Sequence, residues 1–179
     1  MKPRAGLDTA LSRACLTGFV VLAMAACAPA ETPPPLTEGP PSWAYPVEPA
    51  DAKPPLDDGS LRHVPGSTAA FTLTQVRDLF FSPDWHPDAH PALPAVVATG
   101  RKPDVYACGF CHRAEGTGGP ENSSLAGLSA GYIAQQMADF KSGARTTSAP
   151  ERLPPKLMIA VAKAVTDAEV QAAAAYFAA

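Results

Sequence analysis

Cys108, Gly109, Phe110, Cys111 and His112 place two thiols three positions apart with an imidazole directly after them. This is the c-type haem attachment pattern. The spacing has a physical reason: two thiols can add to the two vinyl groups on one edge of a porphyrin, and the intervening residues span the separation of those vinyls. The next residue, His112, is then carried under the ring, where an imidazole nitrogen can bind iron. A thioredoxin-like Cys-x-x-Cys would call for strand–helix alternation around it, and a zinc site would call for further ligands. The other two cysteines, Cys15 and Cys27, lie far away near the N-terminus.

Other residues with chemistry to offer are few. A thioether opposite His112 would complete an iron site and raise its potential. Of the four Met, Met1 and Met24 lie in the leader. Met137 shares a helical face with Ile133 and Phe140, a core-packing pattern. Met158 lies 46 positions after His112, just past Pro154-Pro155. His86 and His90 are four apart, but Pro87 and Pro91 make a helix there improbable, so a loop with satisfied imidazoles outweighs a metal pair. Trp85 beside them reads as a packing residue that could also cover a haem edge.

The N-terminus reads as an export address. Lys2, Arg4 and Arg13 precede an almost wholly apolar run from Ala14 to Ala26, too short to span a bilayer, which takes ~20 residues. Leu22-Ala23-Met24-Ala25-Ala26-Cys27 resembles the lipobox of bacterial lipoproteins, with Cys27 as the lipidated residue. Cleavage at an Ala-x-Ala site and secretion without lipid is the alternative. Residues 1–26 are therefore read as a signal peptide, and the chain is placed on the periplasmic side of a bacterial membrane, lipid-anchored or, alternatively, soluble in the periplasm. Export agrees with the Cys-x-x-Cys-His motif, since bacteria attach c-type haem outside the cytoplasm.

Residues 27–60 read as a disordered, acidic, Pro-rich tether. Positions 28–60 hold ten Pro and six acids against the single base Lys53. Such a stretch buries too little apolar surface to offset its ordering entropy, and at ~3.1 Å per residue it reaches about 100 Å. Trp43 and Tyr45 offer a second reading, a partner-docking arm. The remaining residues, 61–179, carry ten basic and ten acidic side chains. The whole chain of 179 residues has a formal charge of −3, so it has no basic field for nucleic acid.

The elements that must position the motif read as helices. Thr72 and Gln75 look like a capping box, followed by Leu73, Val76, Leu79 and Phe80 on one face and ended by Pro83. A short helix is expected from Pro94 to Thr99, with Gly100 as its stop. A third begins near Ser129 and ends at Gly143. A fourth starts at the Thr166–Glu169 capping box and carries Val170, Ala173, Tyr176 and Phe177. Nothing alternates as a strand. The expected class is all-α with long loops: an extension with one helix over 61–93, then a haem domain over 94–179.

From about Pro94 to the C-terminus the chain resembles the class I cytochromes c, especially small bacterial periplasmic ones. The resemblance rests on the haem motif and on Gly116-Thr117-Gly118-Gly119-Pro120. It also rests on Leu125-Ala126-Gly127-Leu128, Tyr132-Ile133, Gln135-Gln136-Met137, Asp139-Phe140-Lys141-Ser142-Gly143-Ala144-Arg145, and the stretch from Met158 to Phe177. It implies a helical domain wrapped around one haem c held by Cys108 and Cys111, with His112 and Met158 as iron ligands. It places Met158 in an axial-ligand loop ahead of the last helix, and gives the Pro120 carbonyl to the second nitrogen of His112. Arg113 stands where Gly is common in this group. The function it implies is electron transfer between redox protein partners, with no small-molecule substrate. Lys141 and Arg145, at i and i+4, would offer positive charge at a docking face. A cytochrome subunit of a periplasmic dehydrogenase complex is the first alternative, motivated by the extension; a haem sensor or peroxidase with an exchangeable sixth ligand is the second.

Overall fold

A computed structural model describes residues 51–179. The signal peptide, Cys15, Cys27, Trp43 and Tyr45 lie outside the described residues, as does most of the tether. The described chain holds six helices: α1 (Leu73–Arg77), α2 (Ala95–Ala98), α3 (Cys108–His112), α4 (Ala130–Ser142), α5 (Leu153–Ala164) and α6 (Asp167–Phe177). Among the described residues there are no strands, only three isolated bridges, and no helix is long and apolar enough to cross a membrane.

The helices expected from local signals form where those signals lie. Ser129 caps α4 by accepting from the Tyr132 amide, and Gly143 ends it in the left-handed conformation. Thr166 and Glu169 close the capping box of α6. The Thr72–Gln75 box opens α1, but that helix stops six residues before Pro83. Asp78 ends it instead, accepting the Phe80 amide on its carboxylate at 2.8 Å, so Leu79 and Phe80 leave the helix. Two helices have no counterpart among the expected ones. α5 starts on Leu153-Pro154-Pro155, residues read as loop. Proline is tolerated in a first turn because those amides have no intrahelical partner. The haem motif itself is the helical turn α3.

Helix α4 packs against α5 and α6, and α2 against α3 and α6. The shared core is Val96, Val97, Val105, Ile133, Val161, Val165, Ala173, Ala174 and Phe177. Apart from Ile133 and Phe177 these are small side chains, and the largest that are wholly sealed from solvent are Val97 and Val105. A core of valine and alanine leaves a space between the helices.

The extension lies on this bundle. Leu79 accepts from the Ala107 amide at 2.9 Å, and Ser82 donates to Ala98 at 2.8 Å. Phe80 meets Tyr106 edge to face at 5.1 Å, and Phe71 packs on Phe81 and Trp85. Trp85 is thus a packing residue. The end of the expected tether is also tied down: Asp57 accepts the Thr74 amide at 2.7 Å, and Arg77 donates to the Pro55 carbonyl at 2.6 Å.

One long-range ion pair closes the fold. Arg101, 68 positions away in sequence, makes two bonds to Glu169, at 2.8 and 3.2 Å, and a third to the Ala164 carbonyl. Arg101 holds the Glu169 carboxyl at about 2, below its ordinary 4.5. A carboxylate with a lowered pKa in the fold stabilises it above about 4.5 and loses that contribution as pH falls towards 2. The pair is solvated, so its contribution is modest. Wild type is expected to lose roughly a few tenths of a molar in urea midpoint between pH 6 and pH 3 through this pair. Glu169→Gln should show that much less of a decline; equal declines in the two proteins would dismiss the pair as an acid-sensitive contact.

Candidate functional site

Helix α3 is held by close approach. Gly109 is buried, and a Cβ there would lie 2.1 Å from Ser82 Oγ and 3.1 Å from the Val97 carbonyl oxygen. The first of the two residues between the thiols must therefore be small, because the extension seats against it. The turn ends at Arg113, with φ 63° and ψ 158°. Side chains other than Gly reach that region at a cost of order 1–3 kcal/mol. Arg113 accepts this strain.

After α3 the chain loops back over His112. Gly118 donates to the His112 carbonyl at 2.9 Å, and Leu125 and Ala126 both donate to the Gly116 carbonyl. The loop presents the Ser123 carbonyl to His112 Nδ1 at 2.8 Å. With Nδ1–H donated there, Nε2 keeps its lone pair for a metal. Burial holds the imidazole below its ordinary pKa, which the Ser123 bond only partly opposes; the neutral ring is the ligand form. Phe177 stands edge-on to the ring at 6.4 Å.

The Ser123 carbonyl corrects the expectation for Pro120. Pro120 is exposed, on a turn closed by reciprocal bonds between Gly119 and Asn122. Four residues separate Pro120 from Leu125, and this turn takes up the extra length, so the acceptor that reaches His112 comes three residues later. No side-chain signal marks Ser123, because the group that acts is its backbone carbonyl.

Cys108, Cys111, His112 and Met158 line one cavity of about 600 Å³, within the range of cofactor sites. Its walls include Val96, Leu125, Leu128, Ile133, Val161 and Phe177. Burial pushes the Cys108 thiol up to about 12 and also raises Cys111, so both are neutral groups facing an apolar space. A large flat apolar group with two thioether links and an imidazole ligand fits these residues, and it would supply the core that the small buried side chains leave out.

Met158 lies on α5, in the first half of a regular helix, rather than in the loop expected for it. Met137 also borders the cavity from α4, while packing on the core. The expected pair of docking charges is not a helical pair: α4 ends at Ser142, so Arg145 lies beyond it. Its guanidinium stacks 4.6 Å from the Phe140 ring centroid and donates to Gln136 Oε1, on the cavity wall. Lys141 stays exposed, 3.7 Å from Asp167. Of the two loop histidines, His90 is held at both ring nitrogens by Asp84, Pro91 and Tyr176.

Comparison with known proteins adds two findings. A family model described as Cytochrome c matches residues 98–178. A thiosulfate dehydrogenase electron acceptor of Stutzerimonas stutzeri (strain A1501) is 37% identical over 78 residues, 42% of this chain and 32% of that protein. The match thus takes in about a third of the relative's length. A domain of this family carries haem c covalently through the two cysteines of its motif, which here are Cys108 and Cys111.

Proposed function

Because residues 98–178 match the Cytochrome c family model, we propose that this chain is a single-haem electron carrier on the periplasmic face of a bacterial membrane, held there by lipid on Cys27. The observation that carries this reading is the grouping of both thiols, a carbonyl-oriented imidazole and the Met158 thioether around one cavity. The haem, when bound, supplies a one-electron couple. His112 and Met158 are the residues that would hold its iron. Ser123 fixes the His112 ring and its tautomer, and the apolar walls keep water away.

The relative's printed role suggests the partner: a periplasmic dehydrogenase, of the thiosulfate-oxidising kind, as electron donor. Docking would be brief, as electron-transfer encounters are. The alternative of a permanent subunit draws on the extension, whose Phe80 side chain packs on Tyr106 of the bundle and whose Leu79 carbonyl accepts from Ala107. Detergent extracts of native membranes separate the two readings. The free-carrier proposal expects the chain in the membrane fraction, eluting alone on size exclusion, and reduced by added thiosulfate dehydrogenase and thiosulfate. Co-elution in a fixed-ratio complex, or recovery wholly in the soluble fraction, would overturn the corresponding part.

A further inference from the structure

His90, on the loop of the extension, is joined to the haem site by a chain of hydrogen bonds. Its Nε2 lies 3.0 Å from Asp84 Oδ1. Its Nδ1 lies 2.8 Å from the Pro91 carbonyl oxygen and 2.9 Å from the Tyr176 hydroxyl. The same hydroxyl lies 2.7 Å from the Ala114 carbonyl oxygen. The donor count decides the protonation. A carbonyl only accepts, and a hydroxyl has one proton to give. With that proton on Ala114, the Tyr176 oxygen can only accept from His90, so both ring nitrogens must donate: one to Tyr176 and Pro91, one to Asp84. Only the imidazolium satisfies all of these contacts.

Removing the Nδ1 proton leaves a lone pair facing two oxygens. The available relief is for the Tyr176 hydroxyl to turn to Nδ1, which strips the donor from Ala114. Ala114 is fully buried, at 0% exposure, so that carbonyl has no water to replace it. Ala114 is two residues after His112, and Phe177, next to Tyr176, stands against the His112 ring. The proton on His90 is therefore felt at both the backbone and the ring wall of the axial ligand.

The charged groups facing His90 are Asp84 from its own loop and Glu115 from the loop after α3; α6 presents Tyr176. Burial works against the charged ring, but the Pro91 and Asp84 contacts outweigh it and hold His90 above its ordinary value. Burial, Asp84 and Glu115 keep the Tyr176 phenol raised, so it stays a hydroxyl.

We propose that His90 is a proton-linked positioning residue that tunes the reduction potential through Tyr176 and Ala114. The inference rests on the one-electron reading of the site. One electron from an outside donor converts ferric to ferrous iron, and a fraction of a proton is taken from water onto His90 Nδ1; oxidation returns both. A positive His90 favours the reduced state, and so does a Tyr176 hydroxyl drawing density from the Ala114 carbonyl. The potential should therefore fall as pH rises through the His90 titration.

The test is a mediated electrode titration of the holoprotein from pH 5 to 9, with the His90 ring followed by NMR in both oxidation states. Wild type is expected to bind the His90 proton about threefold more tightly when reduced, a step of about 28 mV at 59 mV per tenfold. His90→Gln should be flat across that range. Tyr176→Phe should keep the titration but shrink the difference at least twofold. Equal His90 midpoints in the two oxidation states, measured on wild type alone, would overturn the proposal, as would an unchanged difference in Tyr176→Phe. The electrode needs no protein partner, so this result stands apart from the membrane assay. Loss of the carrier reading shows as failure to exchange electrons with the dehydrogenase, and loss of this inference as a pH-independent His90 difference.

Discussion

Met158→Ala is expected to remove the weak long-wavelength absorption that a thioether-bound ferric haem shows, and to lower the potential. The thioether favours ferrous iron. Axial ligands set haem potentials over a range of ~0.8 V, so a fall on the order of 100 mV or more is in proportion. The reduced variant should also bind carbon monoxide, because the position opposite His112 would stand open. The reason lies in the cavity: two Met side chains border it, from different helices. Met158 projects from α5, whose core face is Val161 and Ala162, while Met137 is already packed against the core from α4. Met137→Leu conserves volume and is expected to cost under about 1.5 kcal/mol with the spectrum unchanged. If Met158→Ala keeps the band and Met137→Leu loses it, the ligand is Met137 on α4 and not Met158 on α5.

Gly118→Ala is expected to damage both stability and site. Gly118 has φ +73°, and a Cβ there would lie 2.5 Å from the Asn122 oxygen and 2.7 Å from the Ser123 carbonyl carbon and oxygen. Left-handed backbone costs a non-Gly residue about 1–2 kcal/mol, and overpacking adds about 1–3 kcal/mol. A loss of about 2–5 kcal/mol follows, which is a fall in Tm on the order of 10 °C for a domain of this size. The crowded atom is the Ser123 carbonyl that orients His112, so relief of the clash moves that acceptor. A His112 without it is a weaker electron donor to iron, and the potential should rise. Gly127→Ala is the control. Its φ is +74°, nothing lies within 4 Å of its Cβ position, and it pays only the backbone cost. Thermal unfolding and electrode titration of the two variants decide the matter. Equal losses, or an unshifted potential in Gly118→Ala, would show that the Ser123 contact does not tune the site.

These two positions show how legibility divides. The Cys108–His112 motif was readable because thioether attachment needs particular side chains at one spacing, whatever surrounds them. Helices α4 and α6 were readable for a similar reason: Ser129, Gly143, Thr166 and Glu169 act within one turn of themselves. The all-α class followed from such local signals. Helix α5 was not, because Pro154 and Pro155 carry opposite meanings at the start of a helix and in a loop, and only packing against α4 selects the first.

The acceptor for His112 lay beyond the sequence for a different reason. Every residue has a backbone carbonyl, so Ser123 has no signature. What selects it is the turn from Gly119 to Asn122 and the tight seat of Gly118. The same holds for His90 and Tyr176, 86 positions apart, and for Ser82 against Gly109. Motif chemistry and helix caps depend on neighbours in the chain, and the sequence alone determined them. The tertiary structure decided which carbonyl meets His112 at the cavity, and that a histidine of the extension reaches the last helix. Those contacts join atoms distant in sequence, and their energies exist only once the backbone has closed around them.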